Sequence, residues 1–116
     1  MPSRNAAQRL RDIQENIEAI QSFVAGTDFT TFQADRKTLY AVTRALEIVS
    51  EASKRLPDQL KKRHPEIDRV AVAAAGNVYR HEYEAVDETQ LWHTVRFELI
   101  ALKKVVESEL LRPTEL

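Results

Sequence analysis

The sequence predicts an all-α protein, an antiparallel up-down bundle of four main helices. In four segments, apolar residues recur at steps of three or four, which is the spacing of an amphipathic helix. No segment alternates apolar and polar residues as a half-buried strand would. The chain holds only 2 Gly and 4 Pro, too few for the many turns of an all-β fold. At 116 residues, we expect a single domain over residues 1–116 with one hydrophobic core.

The first predicted helix has a continuous apolar stripe and a clear end. Gly26 follows the stripe, and Gly is common just past a helix C-terminus because it accepts a positive φ. We expect a loop over residues 27–31 before the next helix. The stripe consists of Leu10, Ile13, Ile17, Ile20 and Val24.

The second predicted helix begins between Phe32 and Asp35 and ends at Pro57, which cannot continue a helix. Residues 58–64 can form a short extra helix before Pro65. The stripe of the second helix consists of Leu39, Val42, Leu46, Val49, Ser53 and Leu56.

The third and fourth predicted helices cover residues 66–83 and a span from about Asp87 to Arg112-Pro113. Asp87 is interpreted as the N-cap of the fourth helix, with Gln90 three residues later as in a capping box. A bundle this small leaves apolar surface exposed, which favours a homodimer. The two stripes are Ile67, Val70, Ala71, Ala74, Val78 and His81, then Leu91, Val95, Leu99, Leu102 and Val106.

Composition excludes several classes of function. The formal net charge is −1, so any RNA contact needs a local basic patch. The chain has no Cys, which excludes disulfides, thiolate metal sites and a Cys nucleophile. Residues 2–8 are polar and unlike a signal peptide, and no apolar run reaches membrane-spanning length. We therefore expect a cytoplasmic protein without a membrane partner.

Residues 76–83, Gly-Asn-Val-Tyr-Arg-His-Glu-Tyr, gather more chemistry than any other segment. On a helix, Asn77 and His81 share a face. An imidazole exchanges protons near neutral pH, and the guanidinium of Arg80 can hold a phosphate. RNA brings its own nucleophile, the 2′-hydroxyl, so these three groups suffice for metal-free cleavage. The three His show no ligand spacing, and we predict neither a metal site nor a cofactor.

The same residues also permit a structural interpretation, which is the commoner outcome for such side chains. A His that ends an apolar stripe is often a hydrogen-bonded core residue. Arg80 can pair with Glu84, four residues later, and Tyr83 can bury its ring while its hydroxyl meets a carbonyl. The residues alone leave this choice open.

The chain resembles the HepT toxins of the HEPN superfamily from Arg9-Leu10 through Leu102. The family pattern in the third helix is Arg-Asn, three residues, His, one residue, Tyr. Asn77, His81 and Tyr83 match this pattern, but Gly76 stands where the family has Arg. Arg80 lies one turn further along nearly the same face, and we hypothesise that it takes over the phosphate role. Further matching segments are Arg9-Leu10-Arg11-Asp12-Ile13, Phe32-Gln33-Ala34-Asp35, residues 41–52, Val86-Asp87 and Leu91-Trp92.

The resemblance implies a toxin that cleaves RNA and is silenced by a partner protein. HepT-like proteins form homodimers, and their partner, a minimal nucleotidyltransferase of the MntA type, adenylylates the Tyr of the motif. Carried over by position, the catalytic residues are Asn77, Arg80 and His81, and the modified residue is Tyr83. The alternative is a non-catalytic helical partner of a nucleotidyltransferase, in which this segment is a docking and modification surface. Gly76 favours that alternative.

Other polar residues have two interpretations each. Arg44 and Glu51 lie seven apart on one face of the second helix, where they can support the cleft or pair across the dimer. An internal ion pair is the slightly favoured alternative. Trp92 is assigned to the core or the dimer interface, and His64 and His93 receive no role. A basic cluster can track RNA or simply be a solvated helix end, which is commoner; it comprises Lys54, Arg55, Lys61, Lys62 and Arg63.

Overall fold

The computed structural model describes residues 4–71 and 88–112, and all its regular elements within those ranges are helical. The predicted all-α bundle is confirmed. The elements are α1 (Arg4–Val24), α2 (Phe29–Ala34), α3 (Arg36–Lys54), α4 (Asp58–Arg63), α5 (helical at residues 66–71), α6 (Glu88–His93), a π-helical turn (Thr94–Glu98) and α7 (Leu99–Leu110). The long α1 packs along both α3 and α7.

Helix α1 forms and ends as its sequence predicts. Its apolar stripe from Leu10 to Val24 is buried. After Val24, the N–H of Thr27 donates to the Val24 carbonyl at 3.0 Å. Gly26 has a φ of +71°, a conformation that L side chains rarely adopt. The glycine therefore fixes the direction in which the chain leaves α1.

Residues 27–31 are not the simple loop that the sequence predicted. Asp28 accepts a hydrogen bond from the Thr31 N–H at 2.8 Å and so caps α2. Phe32, on this short helix, is fully buried. A side-chain cap and one large buried ring together stabilise a helical turn that is too short to show a period.

The bounds of α3 and α4 correct the sequence prediction by a few residues. Helix α3 begins at Arg36, just after the predicted interval, because Asp35 is its N-cap. It ends at Lys54 rather than at Pro57, and Pro57 is instead the N-cap residue of α4. The short extra helix is confirmed at Asp58–Arg63. Ser53 and Leu56 are buried, as their register predicted.

The last helix contains a π-helical turn that the sequence analysis missed. Leu91, Val95 and Leu99 are all buried, and they are separated by two successive steps of four. On an ideal α-helix two such steps overshoot two full turns. The wider π turn over Thr94–Glu98 takes up the excess and keeps the stripe on the core. The helix starts at Glu88 and ends at Leu110, close to the predicted limits.

One cluster of buried side chains joins these elements, and it contains the predicted stripe residues of the described ranges except Ser53 and Ala71. Trp92 is half-buried against it, with its ring 4.7 Å from that of Phe32 and 6.0 Å from that of Phe29. The assignment of Trp92 to the core is therefore supported. Among the described helices, none is both long enough and apolar enough to span a bilayer.

Candidate functional site

The predicted catalytic residues Asn77, Arg80 and His81, the predicted modification site Tyr83 and the departing Gly76 lie outside the described residues. So does the predicted N-cap Asp87. The structure instead shows what holds the described residues that precede this segment, in α5, and those that follow it, in α6.

A buried hydrogen bond fixes α5 just before the segment begins. The hydroxyl of Ser50, on α3, donates to the carbonyl of Ala71 at 3.1 Å. Both residues are at most 3% exposed, so water cannot replace this bond. Small side chains at this contact let the backbones of α3 and α5 come close together. The last described turn of α5 is thereby held against the C-terminal part of α3.

An aromatic group fixes α6 just after the segment ends. Leu91 is buried in the core, and Trp92 packs on Phe32 of α2. The guanidinium of Arg96 lies 5.3 Å from the centroid of the Trp92 ring, within the range of a cation–π contact. The start of α6 is therefore anchored from the side of α2.

A buried carboxylate ties the chain before α5 to the last helix. Glu109, on α7, is 1% exposed. It accepts two hydrogen bonds from Arg63, at 3.2 and 3.1 Å, and lies 2.7 Å from Nε2 of His64. Burial raises the pKa of Glu109, but the bonds from Arg63 and His64 and the charges of Arg63 and Arg112 outweigh it, so the pKa is lowered.

This carboxylate corrects two interpretations made from the sequence. His64 does have a partner, which lies 45 residues away in sequence and so leaves no local signal. Arg63 pairs with Glu109 rather than joining a basic patch. The neighbouring Lys61 pairs with Asp58 at 3.9 Å. Part of the positive charge of the predicted basic cluster is thus neutralised. This favours the interpretation of the cluster as a solvated helix end over that of an RNA-binding surface.

His93 also has neighbours that its sequence position did not reveal. Its Nε2 lies 3.8 Å from a carboxylate oxygen of Glu98. Its ring centroid is 5.1 Å from that of Phe97. The side chains of His93 and Glu98 are 56% and 24% exposed, so His93 lies at the surface of the last helix and packs on Phe97.

Arg44 and Glu51 share the solvent-facing side of α3, as predicted, but they do not pair with each other. Arg44 lies 3.2 Å from Glu47, and Glu51 lies 3.8 Å from Lys54. The slightly favoured alternative, an internal ion pair, therefore holds for each residue, but with a neighbour on α3 as its partner. The two side chains line a groove of about 210 Å³ between α1 and α3. The other residues lining it are Arg9, Asp12, Glu47, Ile48, Ala52 and Arg55.

Within the described ranges, no group of three or more His, Asp or Glu side chains is arranged to hold a metal ion.

The helical fold of the described residues and the sequence motif from Asn77 to Tyr83 together define a small α-helical protein that carries a polar motif. The family model described as "Ribonuclease HepT-like" matches residues 13–109. The chain belongs to this HepT-like family. The match spans the motif, both of its anchors and the groove residues Arg44 and Glu51.

Relatives match over most of their length. A protein of Thermococcus cleftensis named "Probable ribonuclease HepT" is 42% identical over 100 residues, which is 86% of this chain and 91% of that protein. A protein of Methanocaldococcus jannaschii named "Putative RNase" is 31% identical over 107 residues, 92% of this chain and 88% of that protein. A Caldanaerobacter subterraneus protein with the same wording in its name is 31% identical over 98 residues, 84% of this chain and 88% of that protein. No solved structure matches the chain.

Proposed function

We propose that this protein is a metal-independent ribonuclease and the toxin of a toxin–antitoxin pair. The observation that carries the proposal is the family match over residues 13–109, within which the chain keeps Asn77, His81 and Tyr83 of the family motif. The names of the relatives, which refer to ribonuclease activity, support the same substrate class.

His81 is the proposed general base of the reaction. Its imidazole takes the proton from a ribose 2′-hydroxyl, and the 2′ oxygen attacks the adjacent phosphorus. The bond from phosphorus to the 5′ oxygen breaks as the new bond forms. That oxygen leaves as a hydroxyl by taking a proton from water, and the hydroxide formed takes the proton back from His81. The other product carries a 2′,3′-cyclic phosphate. A positioned base contributes about 10²- to 10⁴-fold to such a step.

Arg80 and Asn77 are the proposed partners of His81. The guanidinium of Arg80 stabilises the charge that develops on the phosphate oxygens. Asn77, four residues before His81, shares its face on a helix and positions the phosphate through its side-chain amide. Position 80 is about 40° from position 76 on an ideal helix. Arg80 therefore serves the region that the family Arg would serve from position 76.

Anchors on both sides of the motif suit a site that must hold its geometry. Before it, Ser50 holds Ala71, and Glu109 holds the residues that lead into α5. After it, Trp92 packs on Phe32. Catalytic groups need support that fixes them to well under 1 Å, and these contacts supply part of that support.

The proposed partners are RNA, a second copy of the chain and an MntA-type nucleotidyltransferase that adenylylates Tyr83. An adenylyl group two residues from His81 adds bulk and negative charge. Both oppose the entry of an RNA phosphate. The modification therefore silences the toxin without unfolding it.

Cleavage of RNA by the purified protein tests the proposal. The assay is run in excess chelator and compares the wild type with His81→Ala, Arg80→Ala and His93→Ala. His93 is the matched control, because its side chain is exposed and lies outside the motif. We expect His81→Ala to lose at least 100-fold in rate and His93→Ala to retain full activity.

A separate experiment tests the consequence of Gly76, which replaces the Arg of the family motif. Arg80→Ala should lose most activity, and adding Gly76→Arg to that variant should restore part of it. Full activity in Arg80→Ala would show that Arg80 has no role in cleavage. Equal cleavage by the wild type and His81→Ala would overturn the ribonuclease mechanism.

Gly76 also supports a second candidate function, that of a non-catalytic partner of the nucleotidyltransferase. In that case the chain is adenylylated and binds its partner but cleaves no RNA. Expression of the chain alone separates the two candidates. Growth arrest that His81→Ala abolishes favours the toxin, and normal growth with the wild type favours the docking protein.

A further inference from the structure

The exposed side of the last helix carries an aromatic ring among cations. This last-helix outer face is defined by Arg96, Phe97, Ile100 and Lys104, in which Ile100 lies three or four residues from each of the others. Phe97 is 64% exposed and Ile100 is 45% exposed, and both cations are exposed as well. A single exposed apolar residue is ordinary on a protein surface, but here the ring and the cations lie on the same side of one helix.

The two cations of this face have no carboxylate partner within the part of the chain that the structure describes. Neither Arg96 nor Lys104 forms an ion pair there. From residue 93 to residue 104 the sequence contains one carboxylate, that of Glu98. The Glu98 side chain is 24% exposed, with one oxygen buried and the other 3.8 Å from Nε2 of His93. The face is therefore locally positive, although the chain has a net charge of −1.

The π-helical turn presents Arg96 and Phe97 side by side. Val95 and Leu99 stay buried on the inner side of this turn. Arg96 and Phe97, which lie between them in sequence, are both exposed. Short π-helical turns inside α-helices are frequent at functional sites, and this one offers solvent a guanidinium next to a ring.

Arg96 is held in place before any ligand binds. Its guanidinium carbon lies 5.3 Å from the centroid of the Trp92 ring, and Trp92 in turn packs on Phe32 at 4.7 Å. A guanidinium that stacks on a ring keeps the N–H groups in its own plane available for a phosphate. Because the side chain is already ordered, it loses less conformational entropy on binding than a free one.

Single-stranded RNA carries the chemistry that this face would recognise. Proteins bind unpaired nucleic acid with cations that follow the phosphates and with aromatic rings on which the bases stack. Phe97 supplies the ring, and Arg96 and Lys104 supply two cations about 12 Å apart along the helix axis. In a duplex the faces of the bases are stacked on one another, so Phe97 favours an unpaired strand. A protein partner would have to bring carboxylates as well as apolar groups, whereas each nucleotide has both a charged and a stacking group.

The last-helix outer face also lies near the motif along the chain. Glu88, at the start of α6, follows Tyr83 by five residues, and a chain of five residues spans at most about 18 Å. From Glu88 to Phe97 the helix rises by about 14 Å. A strand of several nucleotides that lies on the face can therefore extend to the motif.

We propose that the last-helix outer face binds single-stranded RNA, with one base stacked on Phe97 and phosphates held by Arg96 and Lys104. The inference rests on the proposed ribonuclease function. It adds an unpaired strand as the substrate class and a site outside the motif that binds this strand.

Fluorescence anisotropy with a short labelled RNA tests the stacking contact. All proteins carry His81→Ala, so that the RNA stays intact. The single strand should bind more tightly than the same strand annealed to its complement. Phe97→Ala and Phe97→Leu should each weaken binding of the single strand about fivefold or more, because both remove the ring. Phe97→Tyr keeps a ring and should bind like the parent protein.

The salt dependence of binding tests the two cations. Each phosphate contact to a single strand contributes about 0.7 to the slope of log K against log salt concentration. Arg96→Ala and Lys104→Ala should each weaken binding and reduce this slope by about 0.7. Phe97→Ala should leave the slope unchanged, because stacking releases no counter-ion. A side chain that only supports the fold would not change the slope in this selective way.

The chain offers matched controls on other helices. Phe23, on α1, is 44% exposed, and Lys37, on α3, is exposed. Phe23→Ala and Lys37→Ala should leave the affinity and its salt slope unchanged. Circular dichroism of every variant checks that it remains folded.

Three results would overturn the proposal. The first is RNA binding that is indifferent to Arg96→Ala, Phe97→Ala and Lys104→Ala, and the second is binding that the controls weaken equally. In either case, cleavage that depends on His81 would leave the proposed ribonuclease standing. The third is unchanged RNA binding together with loss of a co-expressed MntA-type nucleotidyltransferase from the purified variants, which would assign the face to a protein partner. Weaker binding in the face variants of a chain that cleaves no RNA would instead support the face and refute the catalytic mechanism.

Discussion

Arg63 donates from Nε and from Nη2 to the two carboxylate oxygens of Glu109, at 3.2 and 3.1 Å, and so joins the end of α4 to the end of α7. The Glu109 side chain is 2% exposed and that of Arg63 is 33% exposed. A bidentate pair of this kind has a fixed geometry. It therefore sets the spacing between the last helix and the segment that leads into α5.

Replacing Glu109 by Gln should destabilise the fold. The amide keeps the volume but removes the charge, which leaves Arg63 without its counter-ion and weakens the contact with His64. Charge-assisted hydrogen bonds contribute about 1.5–3 kcal/mol, and the partial exposure of Arg63 reduces that value. We expect a loss of about 1–3 kcal/mol in the free energy of unfolding, measured by urea denaturation.

The control for this variant is Glu107→Gln, two residues away on α7. The Glu107 side chain is 45% exposed and pairs with Lys103 at 3.8 Å. An exposed pair contributes little, and we expect a change within about 0.5 kcal/mol. Equal losses in the two variants would show that burial of the Glu109 pair has no special effect on stability.

The same carboxylate should make stability fall in acid. The pKa of Glu109 is lower in the folded protein than its ordinary value of 4.5, so the unfolded state binds the proton more readily. Its contribution is complete above pH 4.5 and is lost as the pH falls through the folded pKa. Urea midpoints of the wild type and Glu109→Gln should converge below pH 4.5. A difference that stays constant from pH 7 to pH 3 would contradict the assignment.

Local spacing predicted most of the fold. The stripe residues of the first two helices and of the last are buried as expected. What spacing could not predict depended on contacts between distant segments. Helix α2 is too short for a period, and it forms because Phe32 enters the core beneath Trp92, 60 residues later. The π turn follows from the need to keep Leu99 on the core.

The candidate site was predicted less completely, for a related reason. The sequence placed Arg44 and Glu51 on one face of a helix, and the structure confirms that. It could not predict their partners, because several acidic and basic residues lie within reach at steps of three and four. The partner of His64 is far along the chain, so no local pattern identified Glu109. The roles of Asn77, Arg80, His81 and Tyr83 stay predictions.

Two buried serines on α3 should respond in opposite ways to the same substitution. The Ser50 hydroxyl donates to Ala71, whereas the Ser53 hydroxyl has no hydrogen-bond partner within the part of the chain that the structure describes. Ser50→Ala should cost about 0.5–1.5 kcal/mol of unfolding free energy. Ser53→Ala removes a buried unpaired hydroxyl and should be neutral or stabilising by up to about 1 kcal/mol. Each serves as the control for the other in urea denaturation, and a reversed order would refute the assignment.

Asp35 should stabilise α3 through its side chain. It accepts hydrogen bonds from the Thr38 hydroxyl at 2.7 Å and from the Thr38 N–H at 3.2 Å, and these bonds lower its pKa. Asp35→Ala should lower the melting temperature measured by circular dichroism. Asp35→Asn should retain most of the stabilisation and so melt close to the wild type, because Asn is also a good N-cap. The exposed Glu18→Ala on α1 is the control, and an equal effect of Ala and Asn at position 35 would contradict the cap.

Tyr83→Phe should separate the proposed silencing by adenylylation from the proposed RNA cleavage. The substitution removes only the hydroxyl that would accept an adenylyl group, so cleavage that depends on His81 should persist. When the chain is co-expressed with an MntA-type nucleotidyltransferase, the wild type should gain the mass of one or more adenylyl groups and lose RNA cleavage. Tyr83→Phe should gain none and remain active. Tyr79→Phe and Tyr40→Phe are the matched controls, since they remove the chain's other two phenol hydroxyls, and both should still be modified and silenced. Intact-mass spectrometry with peptide mapping decides the outcome: an adenylyl group on Tyr79 or Tyr40 in the wild type would assign the modification elsewhere.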